Sequence, residues 1–577
     1  MTQPRPRPTA LTEDELGFQP QKAVRWLSPA VLIGTGIKSL VAEIFGSYAD
    51  KRELQASLPQ KILHHQDGDD LWFDFVADLG DGFDATMSVA SLLAAEQLTM
   101  PDGTELPRGR LLVMGGDEVY PVASTRNYED RSKGVYRAAL PQAEGVPPVL
   151  FAVPGNHDWY DGLTAFLRVF AQRRPFGGWA TQQTRSYFAV QLPHRWWLLA
   201  IDTQFDDYVD APQLDYFREV AEHIDRGDSV ILCTATPAWV PAGSGGETKG
   251  YDTIEFFLRE IVRPRGAQVR LMLSGDTHHY ARYAEHGGSA QRVTCGIGGA
   301  YLAATHRLPE KLSLPPRLSR VRQPSDQTEF DLVHRYPDEG TSRKLSWGIA
   351  TLPWRNPKFW LLTGGFQLVL TLALLLGLVH DGTSAFDLLQ AWSPAAIVAF
   401  GLLVAGVAFA RLGTARGRPL AYWTAGVLHA VAHMAFSVGW AVLALWLFHQ
   451  VLPTGNAGDW LFAAMVLLGT PTVIGFLDAE IVAVYLLIAS LRGINLNEVF
   501  AGQSIEDYKG FLRIHLTAEG LTVHPIKVDR VCRDWVPDPN GSVTDPWLKP
   551  DCPLKVEPIE PAFLVTPSPL SGTPDVS

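Results

Sequence analysis

Four clusters of polar, metal-ligating side chains close four apolar runs along this chain. Asp78 lies in "ADLGD", Asp117 and Tyr120 in "GGDEVYP", Asn156 to Asp158 in "PGNHD", and Asp276 to His279 in "SGDTHHY". Carboxylate, phenolate, amide and imidazole suit hard-to-borderline cations such as Mn, Fe or Zn. Any one Gly-Asp pair is more often a turn than a ligand. Four strand-end clusters in order, one of them Gly-Asn-His-Asp, point instead to a metal site.

The pattern resembles the calcineurin-like metallophosphoesterases, and within them the purple acid phosphatases, whose motifs run GDxG, GDxxY, GNH(D/E), VxxH and GHxH. The chain offers "ADLG" (77–80), "GDEVY" (116–120), "GNHD" (155–158), "ILCTATP" (231–237) and "GDTH" (275–278). The resemblance covers roughly residues 70 to 305. It implies a β-sandwich flanked by helices, with two divalent or trivalent metal ions (Mn, Fe or Zn) at the strand ends. By the same resemblance Asp78, Tyr120 and His278 hold the first metal, Asp117 bridges to the second, and Asn156 ligates the second. His157 would protonate the leaving alkoxide, with Asp158 holding its imidazole. A hydroxide between the metals would attack phosphorus in line, hydrolysing a phosphomonoester or phosphodiester.

Two positions depart from the family pattern. The fourth motif supplies a His two residues before its Pro, where this chain has Ala235, and the fifth has His where this chain has Asp276. Both imidazoles belong to the second metal. Asp276 retains an oxygen ligand, so Asp117, Asn156 and Asp276 would make a harder site suited to Mn or Mg. Ala235 coordinates nothing. His279 is expected to point away from its neighbour, as successive strand residues do. Three outcomes stay open: a two-metal enzyme with a weak second site, a one-metal enzyme, or a pseudoenzyme that senses or scaffolds a phosphorylated ligand. Arg126 and Arg131 sit either beside the phosphate or in a solvated loop. The Gly-rich stretch 295–306 is expected to support the site by close backbone packing.

Such a site needs strands that deliver polar residues at their C-terminal ends. Up to about residue 345 the chain reads as α/β, with buried strands around 72–80, 110–118, 149–157, 196–202, 229–237 and 270–279. Helical stretches such as "FDATMSVASLLAAEQL" and "YDTIEFFLREIV" lie between them. Residues 28–47 are apolar but carry Lys38 and Glu43, which favours a core-facing or membrane-surface helix over a span.

After residue 357 the composition changes to four stretches long enough to cross a bilayer, at about 359–379, 393–411, 421–448 and 460–491. Pro471 and Asp478 offer a break in the last, which would make five. Arg411, Arg416 and Arg418 lie between spans two and three, Lys344, Arg355 and Lys358 precede span one, and Arg492 follows span four. The other two loops, 380–392 and 449–459, hold no Lys or Arg. The positive-inside rule then puts both termini and the α/β domain in the cytoplasm, as in a bacterial inner-membrane protein. Within the spans, His429, His433, Asp478 and Glu480 read either as helix-joining pairs or as a metal or proton site.

The 577 residues therefore divide into a disordered tail (1–22), a metallophosphoesterase domain (23–350), a transmembrane domain (357–492), a small C-terminal piece with a hairpin (493–553) and a second disordered tail (554–577). A net charge of −12 gives no general attraction to nucleic acid, and no nucleic-acid partner is expected. Four cysteines without close spacing suggest no disulfide framework and fit a reducing compartment. The expected partner is a phosphate-ester substrate, lipid-linked or membrane-proximal by virtue of the protein's location.

Overall fold

The structure, a computed structural model, describes residues 6–45, 55, 62–66, 68–203, 208–380, 384–412 and 419–569, with 39–45 and 385 as backbone only. By their contacts these described residues form two compact units, one drawn from 6–24, 34–339 and 505–569, the other from 25–33 and 340–504.

The first unit is built on two sheets, of nine and eight strands among the described residues. Strand alternation gives each sheet two apolar faces. Phe73 and Phe75, Leu111 and Val113, and Phe151 join Leu198, Ile231, Cys233 and Leu271 in one core between the sheets. Their alternate neighbours Val76, Leu112, Met114 and Leu150 face outward, onto the helices Phe83–Ala94 and Thr164–Phe170. On the other sheet Trp197, Leu199, Val230 and Leu232 pack on Ala211–Ala221 and Lys249–Phe257. The result is the helix-flanked sandwich that the resemblance implies: a period-2 strand with both faces apolar must be covered on both sides.

Strands Leu71–Val76, Leu111–Met114 and Val149–Ala152 lie side by side and parallel, so their C-terminal ends share one edge. Trp196–Ile201, Ser229–Thr234 and Gln268–Ser274 do the same in the other sheet. These six match the strands read from the sequence.

The C-terminal region differs from expectation. It is no separate piece: Lys509–Thr517 pairs antiparallel with Leu71–Val76, and Gly520–Val528 continues the same sheet. Phe511, Leu512 and Ile514 are fully buried. A hairpin with two apolar faces cannot stand alone in water, and the sheet edge at Leu71–Val76 provides the partner. The expected tail from 554 also holds strands, Val556–Pro558 and Phe563–Val565, both paired to Gly520–Val528; residues 570–577 lie outside the described residues. The N-terminal stretch likewise docks. Leu16 and Phe18 are buried, and the Gln19 N–H donates to Asp130 at 2.9 Å. Two apolar anchors and a buried acceptor outweigh its Pro-rich composition.

The second unit contains four helices long and apolar enough to cross a membrane: Pro357–Leu378, Phe386–Leu412, Pro419–Gln450 and Asn456–Ser490. Pro471 does not break the last into two. A π-helical stretch, Met465–Ile474, absorbs the missing N–H and the helix continues. Small residues let helices one and four approach, with the Thr363 hydroxyl donating to the Gly475 carbonyl at 2.8 Å. Asp478 accepts from Gln367 at 2.7 Å and pairs with His433 Nδ1 at 2.6 Å, while His433 and His429 meet through their Nε2 atoms at 2.9 Å. These groups join three helices. The basic loop residues Arg416 and Arg418 lie outside the described residues.

Candidate metal centre

The strand ends bring the sequence clusters together. Asp78 follows Leu71–Val76, Asp117 to Tyr120 follow Leu111–Met114, and Asn156 to Asp158 follow Val149–Ala152. Asp276 to His279 occupy the bends between Gln268–Ser274 and Tyr280–Glu285. The loops are laced by backbone bonds, Asp78 N–H to Gly116 and Leu79 N–H to Asp117, each 3.0 Å. Four of these side chains hang from left-handed backbone: φ is 59° at Asp78, 53° at Asp117, 69° at Asp276 and 45° at His278. Non-glycine residues avoid that region, and its use at four points of one site indicates that the fold imposes these directions.

The Tyr120 hydroxyl sits at the convergence. Its Oη is 2.9 Å from Asp78 Oδ1, 3.0 Å from Asp117 Oδ2 and 2.9 Å from His278 Nε2. The ligand atoms of Asp78, Asp117 and His278 all lie within 4.8 Å of one another, and all three residues are buried. The His278 ring also hydrogen-bonds the Tyr301 backbone, and Nε2 is the ring nitrogen that faces Tyr120 and Asp78. The phenol has one proton to share among three acceptors, so a cation fits this donor set.

The electrostatics agree. Burial, then the charge of Asp276, holds the Asp78 carboxyl well above the usual carboxylate range. Burial, then Asp78, does the same to Asp117. Burial holds the His278 imidazole well below its ordinary value, so it is neutral and able to ligate. Buried acids this close cannot ionise together without positive charge among them.

The second half of the site is thinner. The Asn156 amide donates through Nδ2 to the Tyr160 hydroxyl at 3.1 Å, while its Oδ1 is buried with no hydrogen-bond partner. An orphaned buried carbonyl is what a ligand oxygen looks like before its cation is added. The Asp276 N–H donates to Asp78 Oδ2 at 2.8 Å, but its carboxylate stands outside the Asp78–Asp117–His278 group. Ala235 is buried beside Gly116, where a methyl added to the glycine would come within 2.9 Å of the Ala235 methyl. His279 sits in the bends at 276–279 and not in a strand, and its buried Nδ1 has no hydrogen-bond partner.

The Gly-Asn-His-Asp loop holds a correction. Asp158 does not carry the His157 imidazole. As the third residue of the short helix Asn156–Trp159, it folds back to accept from the Gly155 N–H at 2.8 Å, and it also accepts from the Glu118 N–H at 3.3 Å and from the Tyr128 hydroxyl. The Pro121 carbonyl holds His157 Nδ1 instead, at 2.7 Å, and the His157 N–H reaches Asp117 Oδ1 at 2.9 Å. Gly155 permits that approach, since a Cβ there would collide with Asp117. Burial pushes the His157 imidazole down to about 4.

Two supporting residues, Glu118 and Lys509, carried no signal in the sequence. Glu118 is buried against Asp158, its carboxyl raised by burial and then by that neighbour's charge. Lys509 is fully buried near Asp81 and Asp78, and burial holds its ammonium down to about 8. Only its place on a strand beyond the membrane region brings it here. Arg126 pairs with Asp130 at 2.5 Å and with Glu13 at 2.7 Å, and Arg131 donates to the Asp81 carbonyl at 2.5 Å. The Gly-rich stretch does support the site: the Ala300 N–H donates to the Asp78 carbonyl at 2.7 Å, and the Tyr301 ring stands edge-on to His278 at 4.4 Å.

No curated protein matches the chain. Among solved structures, one described as "GAP50 the anchor in the inner membrane complex of Plasmodium" is 16% identical over 41% of this chain and 74% of its own, with a TM-score of 0.29. Residues 71–280, which contain all four clusters, match the family model of the calcineurin-like phosphoesterases. Residues 71–280 are thus similar to a calcineurin-like phosphoesterase domain, and a strand from beyond the four apolar helices, Lys509–Thr517, pairs into its sheet.

Proposed function

We propose that this protein is a membrane-attached, metal-dependent hydrolase of a phosphomonoester or phosphodiester. The observation that carries the proposal is the convergence of Asp78, Asp117 and His278 on the Tyr120 hydroxyl, each within about 3 Å of it. Asp78, Asp117, Tyr120 and His278 would hold one cation, and Asp117, Asn156 and Asp276 a second. Bound divalent ions supply Lewis acidity, activating water and neutralising charge on the phosphoryl group.

The chain's own residues would do the rest. Resting His157 is neutral, with Nδ1–H committed to Pro121, so Nε2 is its basic nitrogen. An anionic ester beside that nitrogen favours the imidazolium, which then protonates the leaving alkoxide. The Asp117 carboxylate fixes the backbone of His157 relative to the cations. Glu118 and Tyr128 fix Asp158, and through it the Gly155–Trp159 turn. Arg and Lys placement supports a cytoplasmic phosphoesterase domain, and attachment beside a bilayer favours a lipid-linked or membrane-proximal phosphate ester.

Ala235 favours a second reading, in which the weakened second site binds a phosphorylated ligand without turning it over. Metal analysis of the purified full chain in detergent, paired with phosphate-binding and phosphodiester-hydrolysis assays in added Mn, separates the two. Bound metal with turnover supports the hydrolase. Bound metal and tight phosphate binding without turnover supports the sensor, and a metal-free protein with neither contradicts both.

A further inference from the structure

Cys532 and Cys552 are twenty residues apart in the sequence, yet their Sγ atoms lie 2.7 Å from each other. That is well inside the non-bonded contact of two sulfurs and close to the disulfide length of about 2.0 Å. The two-stranded ladder Trp535–Pro537 with Leu548–Pro550 sets this up. Its last rung pairs Trp535 with Pro550, and the Asp551 N–H donates to the Asp534 carbonyl at 2.8 Å. Cys532 lies three residues before the first strand of the ladder and Cys552 two residues after the second, so the ladder brings the two cysteines to one end.

A metal does not explain the pair. Among the described residues Asp78, Asp117 and His278 form the one group of three or more His, Cys, Asp or Glu with converging ligand atoms, so the two thiols lack a third ligand. Cys532 is buried and Cys552 half-buried, which gives a small thiol reagent an entry point.

We propose that Cys532 and Cys552 form a reversible thiol–disulfide pair, closed by a small-molecule disulfide of the glutathione class. The Cys552 thiolate attacks one sulfur of the oxidant and expels a thiolate. The Cys532 thiolate then attacks Cys552 Sγ in the mixed disulfide and expels the second. Both cysteines lose a proton, and their two electrons leave in two molecules of reduced thiol. The bond closes a loop whose contents anchor on the helices Phe83–Ala94 and Gly134–Ala139. The Cys532 N–H donates to Ser88 Oγ at 3.1 Å and the Trp547 N–H to the Ala138 carbonyl at 2.8 Å, with Trp535, Trp547 and Leu548 buried in the core around Phe83 and Met87. Closure pins this segment to Phe83–Ala94 and Gly134–Ala139. In a reducing cytoplasm the resting form is the dithiol, and closure answers oxidation.

The test uses the full chain in detergent, incubated with oxidised or reduced glutathione, unfolded in maleimide and mapped by peptide mass. In the oxidised sample the expected result is a reductant-sensitive Cys532–Cys552 peptide, with Cys233 and Cys295, buried in strands, still fully labelled. Its melting temperature should exceed that of the reduced sample by several degrees, a shift absent in Cys552→Ser. Maleimide on both Cys532 and Cys552 after oxidation, or a stable glutathione adduct on Cys552 with Cys532 still labelled, would overturn the proposal.

Discussion

Arg513 and Asp74 face each other across adjacent strands and form a two-pronged ion pair, Nε to Oδ1 at 2.8 Å and Nη2 to Oδ2 at 3.1 Å. Arg513 is 0% and Asp74 2% exposed. One residue precedes the four apolar helices and the other follows them, so the pair locks the two halves of one sheet. Removing one partner strands a buried charge. Arg513→Leu should lower the stability of the phosphoesterase unit by about 3–5 kcal/mol, and Asp74→Leu added to it should restore most of that loss. Thermal unfolding of the single and double variants gives the comparison; additive losses would show that the pair is not the locking element.

The same pairing constrains membrane topology. The strands at 71–76 and 509–517 share a sheet, so the chain must return to the side it left, which requires an even number of crossings. Reporters fused at the two ends should therefore read the same side, and reporters in 380–392 and 449–459 the opposite one. The proposed topology, which rests on the distribution of Arg and Lys, predicts that the shared side reads as cytoplasmic. Ends reading on opposite sides would exclude four spans.

Lys509 gives a pH signature. Its ammonium is held down to about 8 by burial, against an ordinary 10.5. The folded state thus disfavours the charged form. The cost is fully present below pH 8, shrinks between 8 and 10.5 as the unfolded chain binds more protons than the folded one, and vanishes above. Lys509→Met should stabilise the unit by up to about 2–3 kcal/mol at pH 7, with the advantage fading toward pH 10. Melting temperatures across that range provide the check; a Met variant less stable at pH 7 would show that Asp507, Glu506 and Asp81 more than compensate the buried charge.

Ala235 stands in the half of the site that offers fewer donors to the proposed second cation. Ala235→His should raise the number of metal ions bound per chain and increase phosphodiester turnover by about 10-fold or more, the range seen when ligand shells are altered. Metal content against activity decides this. Unchanged metal content in a folded variant would mean that the missing imidazole is not what limits the second site.

The sandwich core and the cluster of Asp78, Asp117, Tyr120 and His278 were legible because they rest on local pattern. Leu71–Val76, Leu111–Met114 and Gln268–Ser274 announce themselves as apolar runs ending in polar residues, and Asp78, then Asp117 and Tyr120, then His278 follow them in turn. Contacts between distant segments were not legible. Nothing local to "FLRIHLTAEGLTVHPIKV" says that its hairpin completes a sheet begun more than four hundred residues earlier, or that Lys509 ends beside Asp81. The role expected of Asp158 failed for a related reason: a carboxylate at the third helical position meets its own N-terminus before it meets the neighbouring ring. Cys532 and Cys552 look unrelated by spacing until the intervening ladder folds.

The most direct test of the central claim is a Mn titration of phosphodiester hydrolysis by the full chain after stripping with chelator. Activity should vanish on stripping, return saturably with Mn, and fall by more than about 100-fold in Asp117→Asn, whose carboxylate lies against the Tyr120 hydroxyl. Hydrolysis that survives stripping, or that is equal in wild type and Asp117→Asn, would contradict the assignment of catalysis to this site.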